Sequence, residues 1–148
     1  MLLLAACSNN PPPATGVGGA PSSVGGAGFT PGSQQDLAAT AGDRVFFAYD
    51  QSTISPEGQQ ILQRQADWLK RYGNVSVTIE GHCDERGTRE YNLALGERRA
   101  AAVKNVLVAL GIPSTRISTI SYGKERPIVV GSDEEGYAQN RVGITTVH

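Results

Sequence analysis

The sequence predicts an α+β fold in two layers, a sheet with helices packed on it, in the order β-α-β-α-β-(α)-β. Three observations predict it. Short β-rich stretches alternate with longer segments of helical period, the helices carry start and stop signals, and the composition changes near residue 43 so that residues 43–148 hold the core.

Arg44 to Tyr49 (Arg-Val-Phe-Phe-Ala-Tyr) is rich in β-formers and reads as the first strand. Ser55-Pro56-Glu57 opens a helix, with Ser as N-cap, Pro at the first helical position and an acid in the first turn. Ile61, Leu62, Trp68, Leu69 and Tyr72 follow at helical spacing and read as core, and Gly73 is placed to end the helix as a C-cap glycine. Val75, Val77 and Ile79 alternate with Ser76, Thr78 and Glu80, the pattern of a half-buried strand. A polar loop is expected from Gly81 to about Thr88. The second, longer helix carries Leu95, Val103, Val106, Leu107 and Leu110 and stops at Gly111-Ile112-Pro113. Ile117 to Tyr122 is the third strand, 133–140 a short helix, and Val142 to Val147 the last strand. Gly96 inside the second helix costs up to about 1 kcal/mol relative to Ala, which predicts close packing there.

The chain has 148 residues, room for one ordinary domain. All 13 Lys and Arg lie in 43–148 against 13 of the 14 acids, so that part is neutral. Without a basic stripe or interleaved aromatics, nucleic acid is not an expected partner, and any charge recognition must be local. Residues 8–42, with Pro11-Pro12-Pro13, Gly pairs and many Ser, Ala and Thr, read as a disordered tether. A coil of about 35 residues has a root-mean-square span of roughly 30–35 Å.

Residues 1–7 are too short to span a bilayer, which needs about 20 apolar residues, and lack the basic start of a full signal peptide. Leu4-Ala5-Ala6-Cys7 has the form of a bacterial lipobox, so 1–7 read as a truncated signal peptide. Cys7 is then the expected site of a diacylglyceryl thioether, and Cys83 is left as a lone thiol.

The densest polar cluster is Gly81-His82-Cys83-Asp84-Glu85-Arg86-Gly87, directly after the second strand. A metal site from His82, Cys83, Asp84 and Glu85 is disfavoured, because adjacent ligands on an extended chain point to opposite sides. A hydrolase using Asp84 or Glu85 with His82 lacks any accompanying nucleophile elbow, Cys/His signature or HExxH helix. A zwitterion site is the third reading, with Asp84 accepting an ammonium and Arg98 or Arg99 forking onto a carboxylate. The alternative is that Asp84 pairs locally and the two arginines form a solvated face. Spacing alone slightly favours that alternative.

Three motif groups carry a family resemblance: Gly81 to Thr88, then Tyr91-Asn92, then Leu95-Gly96-Glu97-Arg98-Arg99-Ala100. Together with Phe47-Ala48-Tyr49-Asp50, Ser121 to Pro127 and Asn140-Arg141, they resemble the signature of OmpA-like domains across Val45 to Val147. The resemblance implies an OmpA-like two-layer sandwich with a mixed four-stranded sheet over 43–148. It also implies a non-enzymatic domain without cofactor or metal, which binds peptidoglycan non-covalently through its meso-diaminopimelate stem peptide. The implied ligand residues are Asp84 and Arg99, with Tyr49, Asp50, Asn92 and Leu95 completing the pocket. The distal end of diaminopimelate carries an ammonium and a carboxylate on one carbon, so an Asp and an Arg are complementary to it.

The lipobox and tether fit an outer-membrane lipoprotein anchored through Cys7, its domain in the periplasm, acting in cell division and envelope integrity. TolB is the implied protein partner. Cys83 stands where the family usually has Ala, Thr or Ser, and reads as a tolerated small residue. Val142 stands where a second arginine is usual, which predicts a charge lost from the pocket or its rim. Asp84→Ala or Arg99→Ala is expected to abolish co-sedimentation with sacculi and leave the fold intact.

Overall fold

A computed structural model describes residues 29–148. The expected lipobox with Cys7, and residues 8–28 of the expected tether, lie outside the described residues. Among the described residues there are five helices or helical turns and four strands: α1 Gln34–Thr40, β1 Arg44–Phe46, α2 Pro56–Arg71, β2 Val77–His82, α3 Arg89–Ala109, a 3₁₀ turn Ser114–Arg116, β3 Ile117–Gly123, α4 Glu134–Asn140 and β4 Val142–Val147. The sheet order is β1-β4-β2-β3. β4 runs antiparallel to both neighbours, and β2 and β3 are parallel, as a helical crossover between consecutive strands requires. The sheet is therefore mixed and four-stranded, with helices packed on it.

The core lies between the sheet and α2 and α3. Val45, Val77, Ile79 and Ile117 from the strands meet Leu62, Ala66, Leu69, Ala100, Val103 and Leu107 from the helices. Thr78 and Glu80 alternate to the other side of β2 and are only half-buried. Ser55 caps α2 by accepting from the Gly58 amide at 3.0 Å, with Pro56 at its first position, as its sequence predicts.

The fit between α3 and the strands is decided by two glycines. A methyl group on Gly81 would lie 1.8 Å from the Gly96 carbonyl oxygen, and one on Gly96 would lie 2.2 Å from Ser121 Oγ. Helix and strand backbones therefore touch, which accounts for a glycine in mid-helix.

Four segments differ from expectation. The expected tether reaches residue 42, but Gln34–Thr40 is a helix with Leu37 fully buried. Its polar residues are satisfied by the fold: Asp36 accepts from Trp68 Nε1 at 3.0 Å and from the Gly32 amide, and Gln34 binds the end of β4. The Gly32 amide bond outweighs burial and, with the Trp68 bond, holds the Asp36 carboxyl below the usual range.

The first strand stops at Phe46, not Tyr49, because the following carbonyls are taken by guanidinium groups and not by a neighbouring strand. Arg141 Nε donates to Phe47 O, and Arg99 donates to Ala48 O and Gln51 O. The second strand begins at Val77, so its start is later than expected, and it continues through Gly81 and His82, the first residues of the expected loop. Finally, α2 ends at Arg71 with Tyr72 as cap, and Gly73 is not in the left-handed region. The last carbonyls of that helix are held by Arg116, which donates to Leu69 O and Tyr72 O at 2.9 and 2.8 Å and to Val75 O at 2.8 Å.

Candidate functional site

β1 and β2 both finish at one end of the sheet, where β4 and α3 begin, so four chain segments converge there. Between them is a recess of about 310 Å³, part of it open to solvent. It is lined by all six residues nominated from the sequence (Tyr49, Asp50, Asp84, Asn92, Leu95 and Arg99) together with Cys83, Arg86, Gly87 and Tyr91.

The loop between β2 and α3 is rigidly built. Asp84 Oδ1 accepts from the Arg86 amide at 3.0 Å, a local turn that shapes the loop. Gly87 supplies the left-handed step at φ +96°. Asn92 is buried and its Nδ2 donates to Arg86 O at 2.9 Å and Thr88 O at 3.0 Å, so its role is to hold the loop. Thr88 caps α3. Lys124 Nζ adds a bond to Gly87 O at 2.6 Å. Leu95 is a buried apolar floor.

Asp84 is the electrostatic centre. Its side chain is 5 % exposed, and Arg86 forks onto it with Nε to Oδ1 at 3.1 Å and Nη2 to Oδ2 at 2.8 Å. Arg141 Nη1 approaches Oδ2 at 3.4 Å and, through Nη2, holds Glu134 at 2.8 Å. Burial pushes the Asp84 carboxyl up, but the Arg86 hydrogen bonds and charge outweigh it and hold the group below the usual carboxylate range. Asp84 is therefore ionised at neutral pH. Arg86 also lies between two rings, its guanidinium carbon 4.1 Å from the Tyr49 centroid and 4.3 Å from that of Tyr137.

Arg99 is 1 % exposed. Its Nε donates to Gln51 O at 2.8 Å, Nη1 to His82 O at 2.9 Å and Nη2 to Ala48 O at 3.1 Å. A guanidinium has five N–H donors, of which the main chain takes three; the side chain also meets Cys83, and both residues line the recess. Burial lowers its pKa from the ordinary arginine value. Arg99 thus ties the end of β1 to the end of β2, and the expectation that it can be truncated with the fold intact does not survive this burial. Arg98, the other candidate for a carboxylate, is exposed and sits 5.9 Å from the Tyr91 ring.

Tyr49 and Asp50 arrive on the segment Arg99 holds. Asp50 takes φ +57°, a conformation aspartate tolerates, and accepts from the Tyr91 hydroxyl. The anticipated gap at Val142 is not there: Val142 is fully buried in β4, paired with Phe46, and does not line the recess. Arg141 supplies the charge that reaches Asp84.

The residues weighed for other chemistry are dispersed. His82 is buried, and its ring nitrogens face Glu80 Oε1 at 3.0 Å and Arg126 O at 3.1 Å. The Cys83 thiol is buried, donates to Asn92 O at 3.3 Å, and is pushed up in pKa by that burial. Glu85 accepts from Tyr137 Oη at 3.0 Å. Among the described residues no group of three or more His, Cys, Asp or Glu is placed to hold a metal ion.

Arg86 and Arg141 both stand in the quoted motifs, but their partnership with Asp84 was not legible there. Glu134 and Tyr137 had no sequence signal, because they meet Arg86 only where the chain returns some fifty residues later. The arrangement can recognise a small group that carries a cation beside an anion, with aromatic walls and a buried carboxylate.

Residues 46–141 match the model of the OmpA family. A peptidoglycan-associated lipoprotein of Agrobacterium fabrum is 53% identical over 149 residues, covering 99% of this chain and 82% of that protein. One of Pseudomonas aeruginosa is 50% identical over 115 residues, covering 77% and 68%. The crystal structure of the peptidoglycan-associated lipoprotein from Burkholderia pseudomallei superposes with a TM-score of 0.70 at 40% identity, over 72% of this chain and 90% of that one. The C-terminal domain of Helicobacter pylori MotB shares the fold, with a TM-score of 0.67 at 21% identity over 72% and 84%. The Agrobacterium, Pseudomonas and Burkholderia relatives bear the name of a peptidoglycan-associated lipoprotein and not of an enzyme. With the family model covering most of the folded part, and relatives this similar along nearly its whole length, the chain belongs to the OmpA family.

Proposed function

We propose that this protein is an outer-membrane lipoprotein whose folded part binds peptidoglycan non-covalently. The ligand is the meso-diaminopimelate of the stem peptide, held in the recess around Asp84. The observation that carries this reading is the convergence of the six nominated residues on one recess around a buried, ionised carboxylate. Asp84 receives the distal ammonium. Arg99 lines the same recess, and its N–H groups not held by the main chain meet the carboxylate on the same carbon. Leu95 and the Tyr49 ring cover the methylene chain. An L-lysine side chain lacks that carboxylate, so diaminopimelate-type walls are preferred.

The family and the relatives' names support the wider setting: a lipid anchor on Cys7, a tether, and a wall-bound domain in the periplasm that begins near Ser33 and not at 43. Acting in cell division and envelope integrity, with TolB as a protein partner, belongs to the same proposal.

Co-sedimentation with purified sacculi tests it. The protein is expected to pellet with diaminopimelate-type sacculi and Asp84→Ala to stay in the supernatant, with lysine-type sacculi retained weakly. Equal pelleting of Asp84→Ala would remove Asp84 from the site.

A further inference from the structure

Asp84 faces a solvent-connected recess, yet its carboxylate is 5 % exposed. What covers it is Arg86. Two parallel hydrogen bonds, at 3.1 and 2.8 Å, join the guanidinium to both carboxylate oxygens. Its guanidinium carbon lies over the rings of Tyr49 and Tyr137, 4.1 and 4.3 Å from their centroids, and Glu134 Oε2 lies 3.8 Å away. Two carboxylates and two aromatic faces around one cation make a cage for a cationic group, and a side chain of the protein itself occupies it.

We propose that Arg86 is an internal stand-in for the ligand's ammonium, so that ligand binds Asp84 only when the Arg86 side chain leaves the cage. This rests on the reading of the recess as the diaminopimelate site and adds how that site is controlled.

The surroundings are built for such an exchange. The backbone at Arg86 is pinned, its amide by Asp84 and its carbonyl by Asn92, and Gly87 O is held by Lys124. Among the described residues the side chain is held only by the groups of the cage, and it is 34 % exposed. Departure therefore needs rotamer changes of one side chain, with no loop opening. Nor does departure strand the carboxylate without a cation, because Arg141, 8 % exposed and fixed by Phe47 O at 3.0 Å and Glu134, still reaches Asp84 Oδ2. The outgoing guanidinium also has somewhere to go: Arg86 borders a second, more open recess, lined also by Glu85, Arg89, Lys124 and Glu125, where water can hydrate it.

A site that is occupied by its own side chain most of the time binds ligand more weakly by the fraction of time it is free. Partly exposed ion pairs and cation–π contacts are individually modest, so the cage is expected to favour the closed state by about three- to tenfold. Removing the stand-in should then tighten ligand binding by the same factor. Lysine in its place can touch Asp84 but cannot fork, and should give an intermediate affinity.

The experiment is an NMR titration of the full chain with free meso-diaminopimelic acid, comparing wild type, Arg86→Ala, Arg86→Lys and Asp84→Ala. The expected order of affinity is Arg86→Ala above Arg86→Lys above wild type, with Asp84→Ala not binding. Arg86→Ala binding equally or more weakly while Asp84→Ala fails to bind overturns the stand-in and leaves the site reading in place. Undiminished binding by Asp84→Ala overturns the site reading itself. If Arg86→Ala does not fold, the wild-type Arg86 Nε–Hε resonance decides: it should report a hydrogen-bonded, restricted guanidinium in the free protein and a released one at saturation. An unchanged resonance at saturation overturns the proposal.

Discussion

The two ends of the sheet face the same problem and solve it with different chemistry. β1 pairs with β4 only as far as Ile144, so the rest of β4 needs partners on that side. At this end they are mostly neutral amides and carbonyls. Gln34 Oε1 accepts from the Val147 amide at 2.7 Å and its Nε2 donates to Thr145 O at 3.0 Å, one side chain doing the work of a strand. Gln65 spans Gly42 O at 2.8 Å and Thr145 Oγ1 at 2.7 Å. At the opposite end the carbonyls after β1 are held by Arg99 and Arg141.

An amide has about as many bonds as a strand edge needs, and little is left over. A guanidinium has five donors and a full charge, so three carbonyls still leave it able to act on something else. That surplus, gathered around one buried carboxylate, separates a closed edge from an open, charged recess.

Breaking this contrast should be easiest at Arg99. Arg99→Ala leaves three main-chain carbonyls without their donor and a void under the first loop, and is expected to cost about 3–5 kcal/mol in urea unfolding. A loss below about 1 kcal/mol would show that the guanidinium is not structural. Gly81→Ala should cost about 3 kcal/mol, because its new methyl meets the Gly96 carbonyl, a backbone atom that cannot swing aside. Thermal unfolding of Gly81→Ala and Gly81→Ser side by side would check that the penalty grows with side-chain size.

At the neutral end, Gln34→Ala removes three hydrogen bonds to part-buried partners and is expected to cost about 1–2 kcal/mol. It should leave sacculus co-sedimentation unchanged; reduced pelleting by a variant that remains folded would mean the two ends are coupled.

The smallest effect is one of pH. Because the folded Asp84 carboxyl lies below its unfolded value of about 3.9, its contribution is present above that pH and is lost as pH falls through the lower folded value. Asp84→Asn should flatten that part of the acid limb of a stability–pH curve. A limb of unchanged slope would assign it to other carboxylates such as Asp36, whose pKa is lowered as well.

Most element types were legible because period and capping are local. The Ser55-Pro56 start and the stop at Gly111, where φ is +104°, depend on neighbours within one turn. The six recess residues were legible only through the family resemblance, since spacing alone left a solvated salt-bridge face slightly ahead. The misreadings share one cause. Residues 33–42 look like tether because they contain a single large apolar residue, Leu37, and its burial depends on α2 and the core it meets. Tyr49 looks like strand because nothing nearby in sequence reveals that Arg99 and Arg141, 48 to 94 positions away, claim the carbonyls there.

Local pattern and composition thus set the kinds of element, their order and the neutral charge balance. Long-range packing set the strand order and the duties of three arginines. Arg99 became a buried clamp with donors to spare, Arg141 a fixed neighbour of Asp84, and Arg86 a half-exposed occupant of the cage. The physical reason is that a guanidinium's role is set by which acceptors lie within about 3 Å of it, and here those acceptors come from distant parts of the chain.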